Sequence, residues 1–232
     1  DKPSASYIHA TTQLNVIDSS AKLNIKCGFD DADKQIKLAV TITEENQSTK
    51  NVVLKNTFTP SWKNGEAVVD FDLPKVNPWH FDFPNLYRVD VTITKSNKAV
   101  DRISTNVGFR EVKFMNGQVF LNGERVKLMG VEWTAGSNPD FGFAEPDSQI
   151  IAMGRLMKEV NCIYSRTHLQ LDDVFFDFCD RNGISYEPTD VVIQGADLRM
   201  GVTPAEGLAR INIVREGDYK TEVKALVGHI KD

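Results

Sequence analysis

The chain has 232 residues and a formal net charge of -5, with 41% hydrophobic and 25% charged residues. This composition is that of a globular protein with a sizeable core, and its acidic balance argues against nucleic-acid or acidic-membrane partners, which would require a basic face. No apolar run approaches the roughly 18 residues of a membrane span, and three scattered cysteines are too few for a disulfide framework.

Residues 1–108 alternate apolar and polar side chains with a period of two. Leu23, Ile25 and Cys27 alternate with lysine and asparagine, and runs at 36–42 and 89–93 repeat the pattern. A first strand is expected at "TQLNVID" (12–18). About seven such strands, separated by turn-like clusters, predict an antiparallel sandwich of immunoglobulin-like type.

The pattern changes after Arg110. Asn116-Gly117 and Asn122-Gly123 each lie between apolar alternations, which predicts two hairpins. We expect these hairpins to lead into a buried strand at "VKLMGV" (126–131).

Helices and strands alternate in the remaining sequence. A helix is predicted from Pro146 to about Val160, a strand at 162–169, a helix at 172–183 and a strand at 184–193, before a last helix that contains Val223 and Ile230. This order predicts parallel strands joined by right-handed crossovers. An α/β barrel and a doubly wound sheet both fit, but the helices lack a glycine-rich phosphate loop, which favours the barrel.

Parallel α/β folds place their sites at the C-terminal ends of strands. Here that rule selects two carboxylates, an indole, a guanidinium and an imidazole. Together these groups suit the binding of a sugar. Each of them alone is equally well explained as a solvated or structurally paired strand end, or, for the indole, as core packing. The candidate substrate-binding residues are Glu132, Trp133, Arg166, His168 and Glu187.

Metal and cofactor sites are not indicated. The other histidines have no metal-ligand partner at i+3 or i+4, and no Gly-x-Ser-x-Gly elbow is present. Cys162 and Cys179 occupy apolar positions and are expected to be buried thiols.

Five segments resemble glycoside hydrolase family 2, which holds β-galactosidases, β-glucuronidases and β-mannosidases. They are "PNLYRVDVTI", "VGFREV", "FLNGERVKLMGVEW", "MKEVN" and "FFDFCDRNGI", in this order between Trp79 and Ile184. The resemblance implies a multi-domain β plus α/β protein. Residues 1–108 would be the family's immunoglobulin-like β-sandwich, and residues 109–232 the first three or so βα units of a (β/α)8 TIM barrel.

The resemblance also implies a retaining β-glycosidase mechanism with two glutamates. In the family the acid/base glutamate lies on the fourth barrel strand and the nucleophile later, so we expect both beyond Asp232, no catalytic residue in this chain and no activity from it alone. Arg166 matches the family arginine that holds the nucleophile, and His168 the histidine that contacts the carbohydrate substrate, although the local motif is one residue shorter. Thr134 replaces a family histidine, which puts β-galactosidase or β-glucuronidase specificity in doubt; "GVEWTAGSNPDFGFAEPD" resembles β-mannosidase-like members.

Two further expectations follow. A partial barrel leaves sheet edges and apolar faces that favour self-association. The alternative function is a non-catalytic carbohydrate-binding or interaction module, which would bind glycans without hydrolysing them.

Overall fold

The computed structural model describes residues 3–29, 35–45, 51–133, 138–142, 144–167 and 172–188. The chain divides into two compact units, Asp1–Leu128 with Asp180–Gly183, and Met129–Cys179 with Ile184–Asp232. No helix within the described ranges is long and apolar enough to cross a membrane.

The first unit contains a β-sandwich of two four-stranded sheets. One sheet has the order β1-β2-β6-β5 and the other β4-β3-β7-β8, and every pairing is antiparallel. This is the strand order of the two sheets in immunoglobulin-type domains. The strands are β1 (Ala5–Leu14), β2 (Ala21–Phe29), β3 (Ile36–Glu44), β4 (Val52–Phe58), β5 (Ser61–Lys63), β6 (Glu66–Leu73), β7 (Tyr87–Lys95) and β8 (Lys98–Val107).

Side chains from both sheets form one hydrophobic core. Ile25 of β2, Val40 and Ile42 of β3, and Val89 and Ile93 of β7 are fully buried. They are the apolar members of the period-two pattern, because alternate residues of a strand point to the same face. The predicted β-sandwich is therefore confirmed.

The first strand lies earlier than predicted. β1 begins at Ala5 and ends at Leu14, whereas Ile17 is 92% exposed in the following turn. The Asn15 N–H donates to the Ser20 carbonyl, and the Ile17 N–H donates to the Asn15 side chain. These hydrogen bonds form a tight turn, so the apolar pair Val16-Ile17 is not part of the strand.

A three-stranded meander follows the sandwich. Its strands are β9 (Val112–Met115), β10 (Gln118–Leu121) and β11 (Glu124–Val126). Asn116 and Asn122 have left-handed φ values of 50° and 51°, and each precedes a glycine that also has positive φ. This is the backbone that a two-residue hairpin loop needs, so both Asn-Gly hairpins are confirmed.

The expectation of one buried strand at 126–131 is wrong. β11 ends at Val126, β12 (Gly130–Trp133) begins four residues later, and Val131 is 43% exposed. The two strands belong to different sheets and different compact units. A continuous apolar run cannot by itself reveal such a division.

The second unit contains a parallel sheet of the order β12-β13-β14. A helix precedes each of the last two strands, as the alternating pattern predicts, and the parallel βαβαβ arrangement is confirmed. The predicted last helix lies outside the described residues. The elements after β12 are α1 (Asp147–Glu159), β13 (Tyr164–Thr167), α2 (Asp173–Asn182) and β14 (Ser185–Pro188).

Both helices pack on the same side of this sheet. Ile150 and Met157 of α1 share one hydrophobic cluster with Phe175 and Cys179 of α2 and with Trp133 of β12. Crossovers between parallel strands are right-handed in nearly all proteins, and two crossovers of the same hand between sequential strands place their helices on one face, which accounts for the common cluster.

All three cysteines are buried and carry no disulfide. Cys27 belongs to the sandwich core, and Cys162 and Cys179 belong to the cluster of the second unit. Burial raises the pKa of the Cys27 thiol to about 11. The predicted burial of Cys162 and Cys179 is confirmed.

Candidate active site

The candidate site is built on one rung of the parallel sheet. The register pairs Glu132 of β12 with Arg166 of β13, and Arg166 with Glu187 of β14. Three of the predicted site residues thus occupy neighbouring positions on three adjacent strands, next to the last residue of each strand.

Glu132 and Arg166 lie on the face of the sheet opposite to the helices. Trp133 packs into the helix-side cluster, and successive residues of a strand point to opposite faces. One Arg166 guanidinium nitrogen (Nη1) lies 3.9 Å from Glu132 Oε2, and the two side chains are 35% and 42% exposed. At this exposure the ion pair contributes little to the stability of the fold. It matters here for the polar groups that it presents on this face of the sheet.

Tyr164 lies two residues before Arg166, and Gly130 occupies the position beside it on β12. A Cβ at Gly130 would lie 2.1 Å from the Tyr164 carbonyl oxygen and 2.8 Å from its ring. The absence of a side chain at Gly130 therefore allows the two strands to approach closely at the start of this face.

Trp133 is a core residue of the second unit. Its indole is 7% exposed and meets the Phe175 ring edge-on, with the ring centroids 5.3 Å apart. Its Nε1–H donates to Glu145 Oε2 at 3.2 Å, and Glu145 is itself buried. A role for Trp133 in stacking on a sugar stays a prediction, and its observed contacts are those of packing.

The remaining predicted residues are less defined. His168 and Thr134 lie outside the described residues. Glu187 is placed by its backbone register with Arg166, and its contact with substrate stays a prediction.

Glu145 is the site-proximal residue that the sequence alone did not reveal. It lies just before α1 and fixes the Trp133 ring through the indole hydrogen bond, so it orients the end of β12. A glutamate beside Pro146 resembles an ordinary helix start, and only its 9% exposure distinguishes it.

The chemistry that this face offers is hydrogen bonding to hydroxyl groups. A guanidinium donates in a fixed planar fork, and a carboxylate accepts beside it, which suits vicinal hydroxyls of a sugar. No group of histidine, cysteine or acidic side chains that could hold a metal ion occurs among the described residues.

A family model described as Glycosyl hydrolases family 2 matches residues 6–110 of the chain. The matched range begins at the second residue of β1 and ends just after the sandwich. The family model and the sequence motifs thus indicate the same family. The match of the model ends just after the sandwich, whereas the motifs extend to Ile184.

Two curated relatives are β-galactosidases. That of Pseudoalteromonas haloplanktis is 28% identical over 184 residues, which cover 76% of this chain and 18% of the relative. That of Thermoanaerobacterium thermosulfurigenes is 28% identical over 203 residues, covering 76% of this chain and 27% of the relative. The chain therefore spans about a quarter or less of the length of these relatives.

The fold resembles that of solved glycosidases. A β-glucuronidase from Parabacteroides merdae superposes with a TM-score of 0.70 at 20% identity, over 85% of this chain and 27% of that one. At this identity the likeness concerns the fold alone.

Proposed function

We propose that this chain belongs to glycosyl hydrolase family 2 and supplies the β-sandwich and the first strands of a (β/α)8 barrel to a retaining β-glycosidase. The proposed domains are residues 1–108 and residues 109–232. The proposed boundary follows residue 108, whereas the second compact unit begins at Met129, so the two divisions differ in the assignment of residues 109–128.

The packing of the helices agrees with a barrel wall, in which sequential parallel strands carry their helices only on the outer face. Each half of a doubly wound sheet has the same local arrangement, so the choice of the barrel comes from the family resemblance and the position of the charged pair. Here α1 and α2 contribute to the same cluster, and the opposite face carries the Glu132–Arg166 pair. A charged pair near the C-terminal end of parallel strands, on the face without helices, matches the position of a barrel active site.

The observation that carries the proposal is this rung of Glu132, Arg166 and Glu187. In a retaining glycosidase two carboxyl groups lie about 5–5.5 Å apart across the scissile bond. In our proposal Arg166 orients the catalytic nucleophile, as the family resemblance implies, and Glu132 bonds substrate hydroxyls. The acid/base and nucleophile glutamates come from later strands of the barrel.

Two experiments test the proposal. The 232-residue chain is expected to give no turnover of aryl β-galactosides, β-glucuronides or β-mannosides, and robust turnover would contradict the assignment of catalysis to later strands. The coding sequence after Asp232 is expected to encode a strand that ends in Asn-Glu. A stop codon in that place would instead favour a carbohydrate-binding module without catalysis.

The sugar is to be identified on the product of the longer reading frame. Aryl β-galactoside, β-glucuronide and β-mannoside compared at equal concentration rank the candidates by kcat/KM. The curated relatives are β-galactosidases, whereas Thr134 replaces a histidine of such enzymes and the segment around it resembles β-mannosidase-like members.

A further inference from the structure

A second surface with sugar-binding character lies on the sandwich, on the outer face of strands β1, β2 and β6. We call it the outer face and define it by Tyr7, Thr11, Asn24, Lys26 and Asp70, with their cross-strand neighbours. These residues are the polar members of the alternating pattern, and they point away from the hydrophobic core.

Tyr7 lies flat across this face. It pairs with Gly28 of β2, and a Cβ at Gly28 would lie 2.0 Å from the Tyr7 ring. The ring thus covers the bare backbone of Gly28, and its hydroxyl donates to Glu66 Oε1 on β6 at 2.6 Å. Tyr7 is nevertheless 46% exposed, because only one face of the ring rests on the sheet.

The Glu66 hydrogen bond holds the ring in this orientation. It also raises the pKa of Tyr7 above its ordinary value. An aromatic ring that is fixed parallel to a sheet, with one face in solvent, offers a platform for the apolar C–H face of a pyranose. Because the ring is already fixed in the folded protein, binding a glycan does not require its side chain to lose further rotamer entropy.

Polar groups continue from Tyr7 along the strands. Thr11 lies four residues further, which is about 13 Å along β1. There a shallow cavity of about 560 Å³ opens, lined by residues of β1, β2 and β6. Asn24 Nδ2 donates to Asp70 Oδ1 at 2.7 Å, so an amide and a carboxylate are held side by side in this cavity.

The charges of the cavity balance. Lys22 and Lys26 oppose Asp70 and Asp72, and the Lys22 ammonium lies 3.8 Å from Asp72. A charge-balanced face does not attract a polyanion or a polycation, whereas amide, hydroxyl and carboxylate groups bond neutral hydroxyls. The partner of best complementarity is a neutral polyol with one apolar ring face.

We propose that the outer face binds a neutral glycan chain, with Tyr7 as the stacking platform and the Asn24–Asp70 pair as the hydrogen-bonding end. The roughly 13 Å between the two parts requires an oligosaccharide rather than a single sugar. This site is separate from the Glu132–Arg166 rung and requires no hydrolysis.

The test uses the 232-residue chain and three soluble neutral polysaccharides, β-1,4-galactan, β-mannan and hydroxyethyl cellulose, in affinity electrophoresis. Retention by at least one of them is expected. Calorimetric titration with the matching hexasaccharide then measures the affinity.

Tyr7→Ala is expected to weaken binding about tenfold or more, as for other aromatic anchors. Tyr7→Phe keeps the ring but loses the hydrogen bond to Glu66, so it is expected to weaken binding less than Tyr7→Ala does.

Two further variants keep the test decisive. Phe114 is an aromatic residue of β9 that is 77% exposed and lies outside the outer face, so Phe114→Ala is expected to leave binding unchanged. The double variant Asn24→Ala/Asp70→Ala acts at the other end of the face and is expected to weaken binding without altering Tyr7. If circular dichroism shows that Tyr7→Ala does not fold, this double variant decides.

Four results overturn the proposal: no retention by any neutral polysaccharide, retention by polygalacturonate alone, binding by both Tyr7→Ala and Asn24→Ala/Asp70→Ala equal to that of the parent chain, or a dimer that Tyr7→Ala dissociates. The last result would identify a second copy of this chain as the occupant. None of these results bears on hydrolysis, which the aryl glycosides test separately.

Discussion

At the scale of single residues, Tyr87 joins two segments of the sandwich through its hydroxyl group. It is fully buried at the start of β7, and its hydroxyl accepts the Asn77 N–H at 2.6 Å and donates to Glu44 Oε1 at 3.3 Å. The buried Glu44 also accepts from the amides of Asn77 and Asn51. Tyr87 thus ties the segment before β7 to β3, as the tyrosine corner does in immunoglobulin-like sandwiches.

We expect Tyr87→Phe to lower the free energy of unfolding by about 1–3 kcal/mol, because a buried N–H and a buried carboxylate each lose a partner. Urea unfolding followed by circular dichroism measures the change. Tyr7→Phe is the matched control: it removes one exposed hydroxyl bond and should cost no more than about 0.5 kcal/mol. Equal losses in the two variants would contradict the role assigned to Tyr87.

Asp101 predicts a pH dependence. Its Oδ2 accepts the Ala5 N–H at 2.8 Å and the Ser4 hydroxyl at 3.0 Å, which attaches the start of β1 to β8. The Ala5 N–H, helped by the Arg102 N–H and the Ser4 hydroxyl, lowers the pKa of Asp101 below the usual 3.8. Its stabilising contribution is therefore present above that value and is lost as the pH falls through the lower, folded-state pKa.

Asp101→Asn should accordingly flatten the acid limb of the curve of stability against pH, with the difference from the parent chain shrinking below about pH 4. Urea midpoints at several pH values measure it. Asp72→Asn makes the same change of charge at an exposed site. An identical flattening in that control would show a net-charge effect instead.

At the scale of elements, the contact between α1 and α2 depends on Gly154. A Cβ at this position would lie 2.5 Å from the Phe178 ring, so the two helices approach where no side chain intervenes. We expect Gly154→Ala to destabilise the second unit by about 1–3 kcal/mol through overpacking, despite a helix-propensity gain of about 1 kcal/mol.

Thermal unfolding followed at 222 nm tests this contact. Met153→Ala is the control on the same helix, since Met153 is 39% exposed. If Gly154→Ala were as stable as the Met153 variant or more so, the close approach would not limit the packing of the helices.

Local signals sufficed for most of the elements. The Asn-Gly pairs predicted the meander, the period of two predicted the sandwich, and the apolar spacing with Gly183 after the last turn predicted α2. The error at 126–131 arose where tertiary pairing decides, because nothing local shows that this run is divided between two sheets. The error at Val16-Ile17 was local, since the hydrogen bonds of Asn15 with Ile17 and Ser20 close a turn there.

The candidate site shows the same limit. Its position at strand ends follows from a general rule of parallel sheets, but the pairing of Glu132 with Arg166 is fixed by the register of two strands that lie over 30 residues apart. The burial of Trp133 depends on Phe175 and Glu145, neither of which is its neighbour in sequence.

At the scale of the whole molecule, the second unit exposes apolar side chains that a protein of this size normally covers. Met129 is 55%, Leu156 52% and Val160 68% exposed, and within the described residues β12 pairs only with β13. We expect the chain to self-associate through these exposed apolar side chains, as apolar surface patches do.

Size-exclusion chromatography with light scattering measures the association. Leu156→Lys together with Val160→Lys should lower the molar mass toward that of a monomer, whereas Glu159→Lys on the same helix should not. A clean monomer for the parent chain would contradict this expectation.

The three buried cysteines give each unit its own chemical reporter. The thiolate is the reactive form, so a core thiol such as Cys27, with a pKa of about 11, resists alkylation until the sandwich opens. Cys162 and Cys179 lie in the other cluster and are shielded by the second unit alone. Iodoacetamide labelling, resolved by peptide mass, would therefore record two opening rates in one sample, and unequal rates would show which half of the molecule loosens first.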